Sequence, residues 1–203
     1  MKKIALIAFL LAVCVAAGHA QESRQDISIS GTALIEPFIA SQTDVQVSAN
    51  RAFGAMASYR FMLTPSSALE ANYGITYANK INYVISNTNH YIVNTRTQEA
   101  SAGYVRSFNF RKYNPFVEAG PAAFIFLPII NSTTTTLNAK RETTVGAFYG
   151  AGFAYEISPS FDIRGEFRGM ITKVPSFKDT TDNLSTNKWY NIYNPTIGVA
   201  YHF

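Results

Sequence analysis

The segment Tyr193-Asn194-Pro195-Thr196-Ile197-Gly198-Val199-Ala200-Tyr201-His202-Phe203 decides the reading of this chain. Large apolar side chains stand at Tyr193, Ile197, Val199, Tyr201 and Phe203. Small or polar ones stand between them, at Asn194, Thr196, Gly198, Ala200 and His202. A period of two is a strand with two unlike faces. The expected strand runs to the aromatic Phe203 itself and leaves no tail.

Related strand ends recur upstream. Gly54-Ala55-Met56-Ala57-Ser58-Tyr59-Arg60-Phe61 and Gly150-Ala151-Gly152-Phe153-Ala154-Tyr155-Glu156-Ile157 repeat the Gly/Tyr pattern, and Ala102-Gly103-Tyr104-Val105-Arg106-Ser107-Phe108 is a looser copy. A short turn with proline follows each: Leu63-Thr64-Pro65-Ser66-Ser67, Arg111-Lys112-Tyr113-Asn114-Pro115 and Ser158-Pro159-Ser160. Proline beside Asn or Ser is turn chemistry. Another alternating run begins after each turn. The spacing predicts eight strands, near 25–34, 51–62, 68–81, 97–110, 115–127, 142–157, 161–173 and 192–203. Longer polar connections are expected over 35–50, 82–96, 128–141 and 174–191.

The other terminus fixes the compartment. Met1-Lys2-Lys3 is basic, residues 4–17 are a continuous apolar run, and Gly18-His19-Ala20 places small residues before a cut at Gln21. This reads as a cleaved signal peptide over 1–20, too short for a membrane anchor. Cys14, the only cysteine, falls inside it, and the preceding Val13 is a poor lipoprotein residue. The mature chain, 21–203, is then one domain with no disulfide and no thiolate metal site. Without Lys2 and Lys3, 15 basic residues face 13 acidic ones. No basic run or stripe points to nucleic acid.

No later stretch suits a spanning helix. The best, residues 119–130, is broken by Pro121 and Pro128. A chain like this can cross a membrane only as a closed barrel, because lipid leaves no partner for an open sheet edge. In the seventh predicted strand Phe161, Ile163, Gly165, Phe167 and Ile171 share one face, and Asp162, Arg164, Glu166 and Arg168 the other. The third opposes Leu69, Ala71, Tyr73, Ile75 and Tyr77 to Glu70, Asn72, Thr76 and Lys80. Alternation alone does not separate a membrane barrel from a soluble one with its apolar face inward. The glycines and alanines on the charged face suit a crowded lumen. Aromatics near strand ends, Tyr59, Phe61, Tyr77, Tyr155 and Trp189, suit girdles at the lipid boundary.

In these features the chain resembles eight-stranded outer-membrane β-barrels of the OmpA/OmpX-like class, the outer membrane protein β-barrel domain group. The resemblance spans residues 21–203 and implies an all-β, antiparallel, up-and-down transmembrane barrel in the bacterial outer membrane. It also implies contact with lipid and lipopolysaccharide. The terminal strand, with Tyr201 and Phe203, would be the signal read transiently by the barrel-assembly machinery. No peptidoglycan-binding domain follows the barrel, so cell-wall anchoring is not implied.

The expected function is structural or interactive, through four long outer loops. Glu70, Glu118, Glu156, Arg164, Glu166 and Arg168 should fill the lumen as a network of ion pairs, because buried charge requires partners. A small porin-like channel is the alternative, and a soluble periplasmic ligand-binding barrel a further one. No catalytic constellation is legible: the mature chain has only His90 and His202, and no Gly-x-Ser-x-Gly elbow. No metal or cofactor is expected. Lys173, Lys178 and Lys188 are candidates for lipopolysaccharide phosphates, and Trp189 and Tyr190 for the outer interface. Surface ligands would meet the loop stretches 131–136 and 180–187.

Overall fold

The computed structural model describes residues 25–40, 45–85, 89–129, 139–177 and 188–203. The expected signal peptide and Cys14, the loop stretches 131–136 and 180–187, and Lys178 lie outside the described residues.

The strands are β1 (Gln25–Leu34), β2 (Ile39–Ala40), β3 (Val45–Ala49), β4 (Ala52–Thr64), β5 (Ser67–Ile85), β6 (Asn89–Ser107), β7 (Tyr113–Pro128), β8 (Glu142–Ser158), β9 (Phe161–Lys173) and β10 (Trp189–His202). Eight of them form a closed antiparallel wall in the order β1, β4, β5, β6, β7, β8, β9, β10 and back to β1. Closure removes both sheet edges, as a bilayer demands. The Phe203 amide donates to the Gln25 carbonyl at 3.0 Å, so the first and last strands meet beside the tight turns at 65–66, 111–112 and 159–160.

Within the span the alternation is polar inward and apolar outward. In β1, Asp26, Ser28 and Ser30 are buried, whereas Ile27 and Ile29 face out, Ile29 with 71% of its surface exposed. Phe53, Val145 and Ile197 are similarly bare. A soluble barrel with its apolar face inward is thereby overturned, because water would meet the greasy face and the charges would line the core.

Above the span the pattern inverts, and there the expected 82–96 loop fails. Most of it is strand: β5 and β6 run on as a long hairpin to Ile85 and Asn89, and His90 pairs with Val84 instead of lying in a loop. A bulge between Thr76 and Asn79 inserts one extra residue into β5 and reverses its faces. Ile81 and Tyr83 consequently point inward and are fully buried. Lys80, read on the lumen face with Glu70, is exposed on the outside. The first long connection also contains strand, since β3 continues the wall beyond β4 by pairing with β5, and β2 pairs with β3.

The interior therefore has two storeys. The storey beside the tight turns is charged. The outer storey is an apolar core of Leu34, Ile81, Tyr83, Val93, Phe124, Phe126, Phe148, Met170 and Ile192. Tyr190, expected at the outer interface, belongs to this core, since it is buried beside the exposed Trp189.

Candidate functional site

The charged storey is built from alternate residues of seven wall strands. Two arginines organise its lower part. Arg164 on β9 grips Asp26 on β1 with both terminal nitrogens, at 3.3 and 3.1 Å, and stands 3.9 Å from Glu70. Arg60 on β4 is held by Glu70 directly across the ladder on β5. The Phe116 ring lies 4.7 Å from the Arg60 guanidinium and 5.9 Å from that of Arg164, so its π face supports both cations. Its ring tip occupies the place of a side chain on Gly152, where an added Cβ would stand 2.3 Å from Cζ. His202 Nε2 lies 2.9 Å from Asp162 at the end that carries the tight turns.

Arg168 organises the upper part and is fully buried. Its Nε donates to Glu118 at 3.1 Å, while one terminal nitrogen reaches Glu99 and Ser101, each at 3.0 Å. The other donates to Met56 Sδ, and the guanidinium lies over Phe148 at 4.5 Å. Glu166 stands 3.9 Å away. One carboxylate oxygen from each of Glu70, Glu118 and Glu166 lies within 4.8 Å of the others. Such spacing suits a metal's oxygen ligands, but Arg60, Arg164 and Arg168 already stand on these carboxylates.

Five of the six lumen residues singled out from sequence, Glu70, Glu118, Arg164, Glu166 and Arg168, converge here. Glu156 does not join them. It is half-buried near the β8–β9 turn and forms no ion pair among the described residues. Asp26, Arg60, Glu99 and His202 were missed, and Asp162, though read on the charged face, was not singled out as a lumen residue. Asp26 and Arg60 were detectable, since each is the charged member of an otherwise apolar alternation (Asp26-Ile27-Ser28-Ile29; Tyr59-Arg60-Phe61).

A short strap packs into the outer storey. After β9 the chain folds inward at Val174, Pro175 and Phe177, all buried. The Glu142 carboxylate accepts the backbone N–H groups of Ser176 and Phe177. Tyr83 donates its hydroxyl to the Pro175 carbonyl at 2.7 Å and meets the Phe177 ring edge to face, with centroids 6.1 Å apart. Phe177 adopts a left-handed backbone, φ 53°, which is unfavourable for a bulky residue and persists only where its surroundings hold it. Nearby, in the link between β1 and β2, burial pushes the Glu36 carboxyl up to about 7, against the opposing effect of the Asn79 amide that donates to it at 2.6 Å.

The outer surface carries a different charge. Arg51, Lys80, Arg96, Lys140, Arg141 and Lys173 are exposed towards the outer end, and among the described residues no acid is exposed. Arg96 lies over Tyr77 at 4.9 Å, and Lys173 over Trp189 at 5.8 Å. The girdle candidates Tyr59, Phe61, Tyr77, Tyr155 and Trp189 all face outward.

A closed wall of antiparallel strands, greasy outside and charged within, is a transmembrane β-barrel. The family model described as "Outer membrane protein beta-barrel domain" matches residues 5–203, and the chain belongs to that family of bacterial outer-membrane proteins. The fold is similar to that of OprG from Pseudomonas aeruginosa, with a TM-score of 0.67 at 11% identity over 90% of this chain and 97% of that one. It is also similar to Neisserial surface protein A, with a TM-score of 0.61 at 12% identity over 89% and 98%. Ail of Yersinia pestis, in complex with the heparin analogue sucrose octasulfate, gives 0.53 at 14% identity over 90% and 100%. No curated protein matches the sequence at a significant level.

Proposed function

We propose that this barrel is a sealed surface-contact protein whose outer rim engages anionic groups, first the phosphates of the surrounding lipopolysaccharide and then a surface ligand. The carrying observation is the charge segregation among the described residues: their acids turn inward, while the exposed charges they place at the outer end are all basic. Such a ring attracts polyanions and makes binding depend on salt. The polyanion bound to the structurally similar Ail supports the same chemistry. An arginine-stapled lower storey and a strapped outer storey leave the lumen a packing element, so no catalytic role is assigned to it. The terminal strand with Tyr201 and Phe203 is the proposed address for the barrel-assembly machinery.

The test is binding of the liposome-embedded barrel to lipopolysaccharide and to immobilised heparin across a salt series. Affinity should fall steeply with salt, and Arg96→Gln with Lys140→Gln and Arg141→Gln should flatten that slope. Salt-independent binding, or binding unchanged by the triple variant, sinks the proposal. One observation favours a second reading, a narrow cation-selective channel: among the described residues six carboxylates but only three guanidiniums are buried. Planar bilayers decide it, because a channel would show steps that Glu118→Gln alters, and a sealed barrel would show none.

A further inference from the structure

The lipid face is not uniformly smooth. The β6–β7 ladder pairs Ser101 with Ala122 and Tyr104 with Ala119, but the two residues between, on each strand, are unpaired. Pro121 stands in that gap and has no N–H to donate. Around the gap the outward side chains are small: Ala71, Ala102 and Ala119. Phe61, Leu69 and Tyr104 rise beside them, and together they bound a groove of 580 Å³ with an almost wholly apolar lining.

The periplasmic end of this groove is polar. The Tyr104 hydroxyl donates to Ser67 Oγ at 2.7 Å, and Arg106, the next outward residue along β6, donates to the same oxygen at 2.8 Å. Arg106 is exposed. An apolar furrow that ends in a guanidinium and two hydroxyls at the membrane boundary matches an amphiphile with an acidic head. A second copy fits poorly, because a two-fold contact over this face would bring Arg106 against its counterpart, and like charges repel.

We propose that this groove is a binding site for one glycerophospholipid of the periplasmic leaflet, its acyl chain over the alanines and its phosphate on Arg106. Arginine–phosphate contact is charge-assisted and geometrically specific, and the small side chains of Ala71, Ala102 and Ala119 leave room for a chain against the wall.

Native mass spectrometry of the barrel released from nanodiscs of phosphatidylethanolamine and phosphatidylglycerol tests this. A single phospholipid should persist at detergent concentrations that strip the remainder. Ala102→Leu with Ala119→Leu, which fills the groove from the lipid side, should abolish that retention. Arg106→Gln should weaken it by roughly tenfold, the scale of one charge-assisted hydrogen bond. The heat-dependent gel shift of each variant verifies that the wall is intact. Retention unchanged by either variant overturns the site. So does a dimer in the spectrum that the groove-filling variant dissolves, because the occupant is then a second copy.

Discussion

Arg168→Met tests the charged storey most directly. Methionine keeps the apolar contact with Phe148 but removes the cation from Glu99 and Glu118, leaving two buried carboxylates without their partner. Breaking a buried pair in this way costs about 3–5 kcal/mol, because the desolvation penalty remains while the attraction is lost. With a urea dependence of about 2 kcal/mol per molar, the unfolding midpoint should fall by roughly 2 M. The assay is urea unfolding in liposomes, read by the heat-dependent gel shift. Adding Glu99→Gln and Glu118→Gln to Arg168→Met should restore most of the loss, since neutral amides need no counter-charge. An unchanged midpoint in Arg168→Met, or no recovery in the triple variant, would show that these carboxylates do not depend on Arg168.

Three further outcomes are expected. Glu142→Ala should release the strap, with a loss of about 1.5–3 kcal/mol for charge-assisted hydrogen bonds, and faster hydrogen exchange at Ser176 and Phe177; exchange at wild-type rates contradicts this account. The Glu36 carboxyl lies near 7 against an ordinary value of 4.5, so folding favours its neutral form. Its contribution is complete below about 4.5 and fades as pH rises through about 7, by at most about 3 kcal/mol; Glu36→Gln should flatten this slope, and a slope kept by the variant belongs to another group. Gly152→Val should drive the Phe116 ring off Arg60 and cost about 1–3 kcal/mol by overpacking, whereas Gly165→Ala, with open space at its Cβ, should leave the unfolding midpoint unchanged.

Legibility in the sequence followed the bilayer. Where lipid faces the wall, every outward residue must be apolar, so the alternation of β1 and β9 is uninterrupted and their ends were readable to the residue. Above the lipid that constraint reverses. Ile81, Tyr83 and Val93 alternate with Lys80, Asn82 and Asn94, a polar-looking run that resembles a loop until the inward core is known. The bulge at Thr76/Asn79 hides the change further, since a one-residue slip exchanges the two faces. The lumen charges of β7 and β9 stood out by their phase. Asp26 and Arg60 carry the same local phase signal, but the pairing does not follow from it, because ion pairs such as Arg164 with Asp26 join residues 138 apart, and only ring closure makes them neighbours. The strap had no local signature, as Phe177 is a lone aromatic in a polar connection.

The β5–β6 hairpin sets a length scale. From Tyr77 to Ile85 the strand advances roughly 26 Å, which at a tilt of about 40° lifts its end some 20 Å above the aromatic girdle. A stiff ladder, rather than a flexible tether, carries that tip clear of the lipid headgroups. An antibody or phage approaching the cell would meet the crown before the bilayer, and shortening the hairpin by an even number of residues per strand would lower that point of contact without turning the inward side chains out.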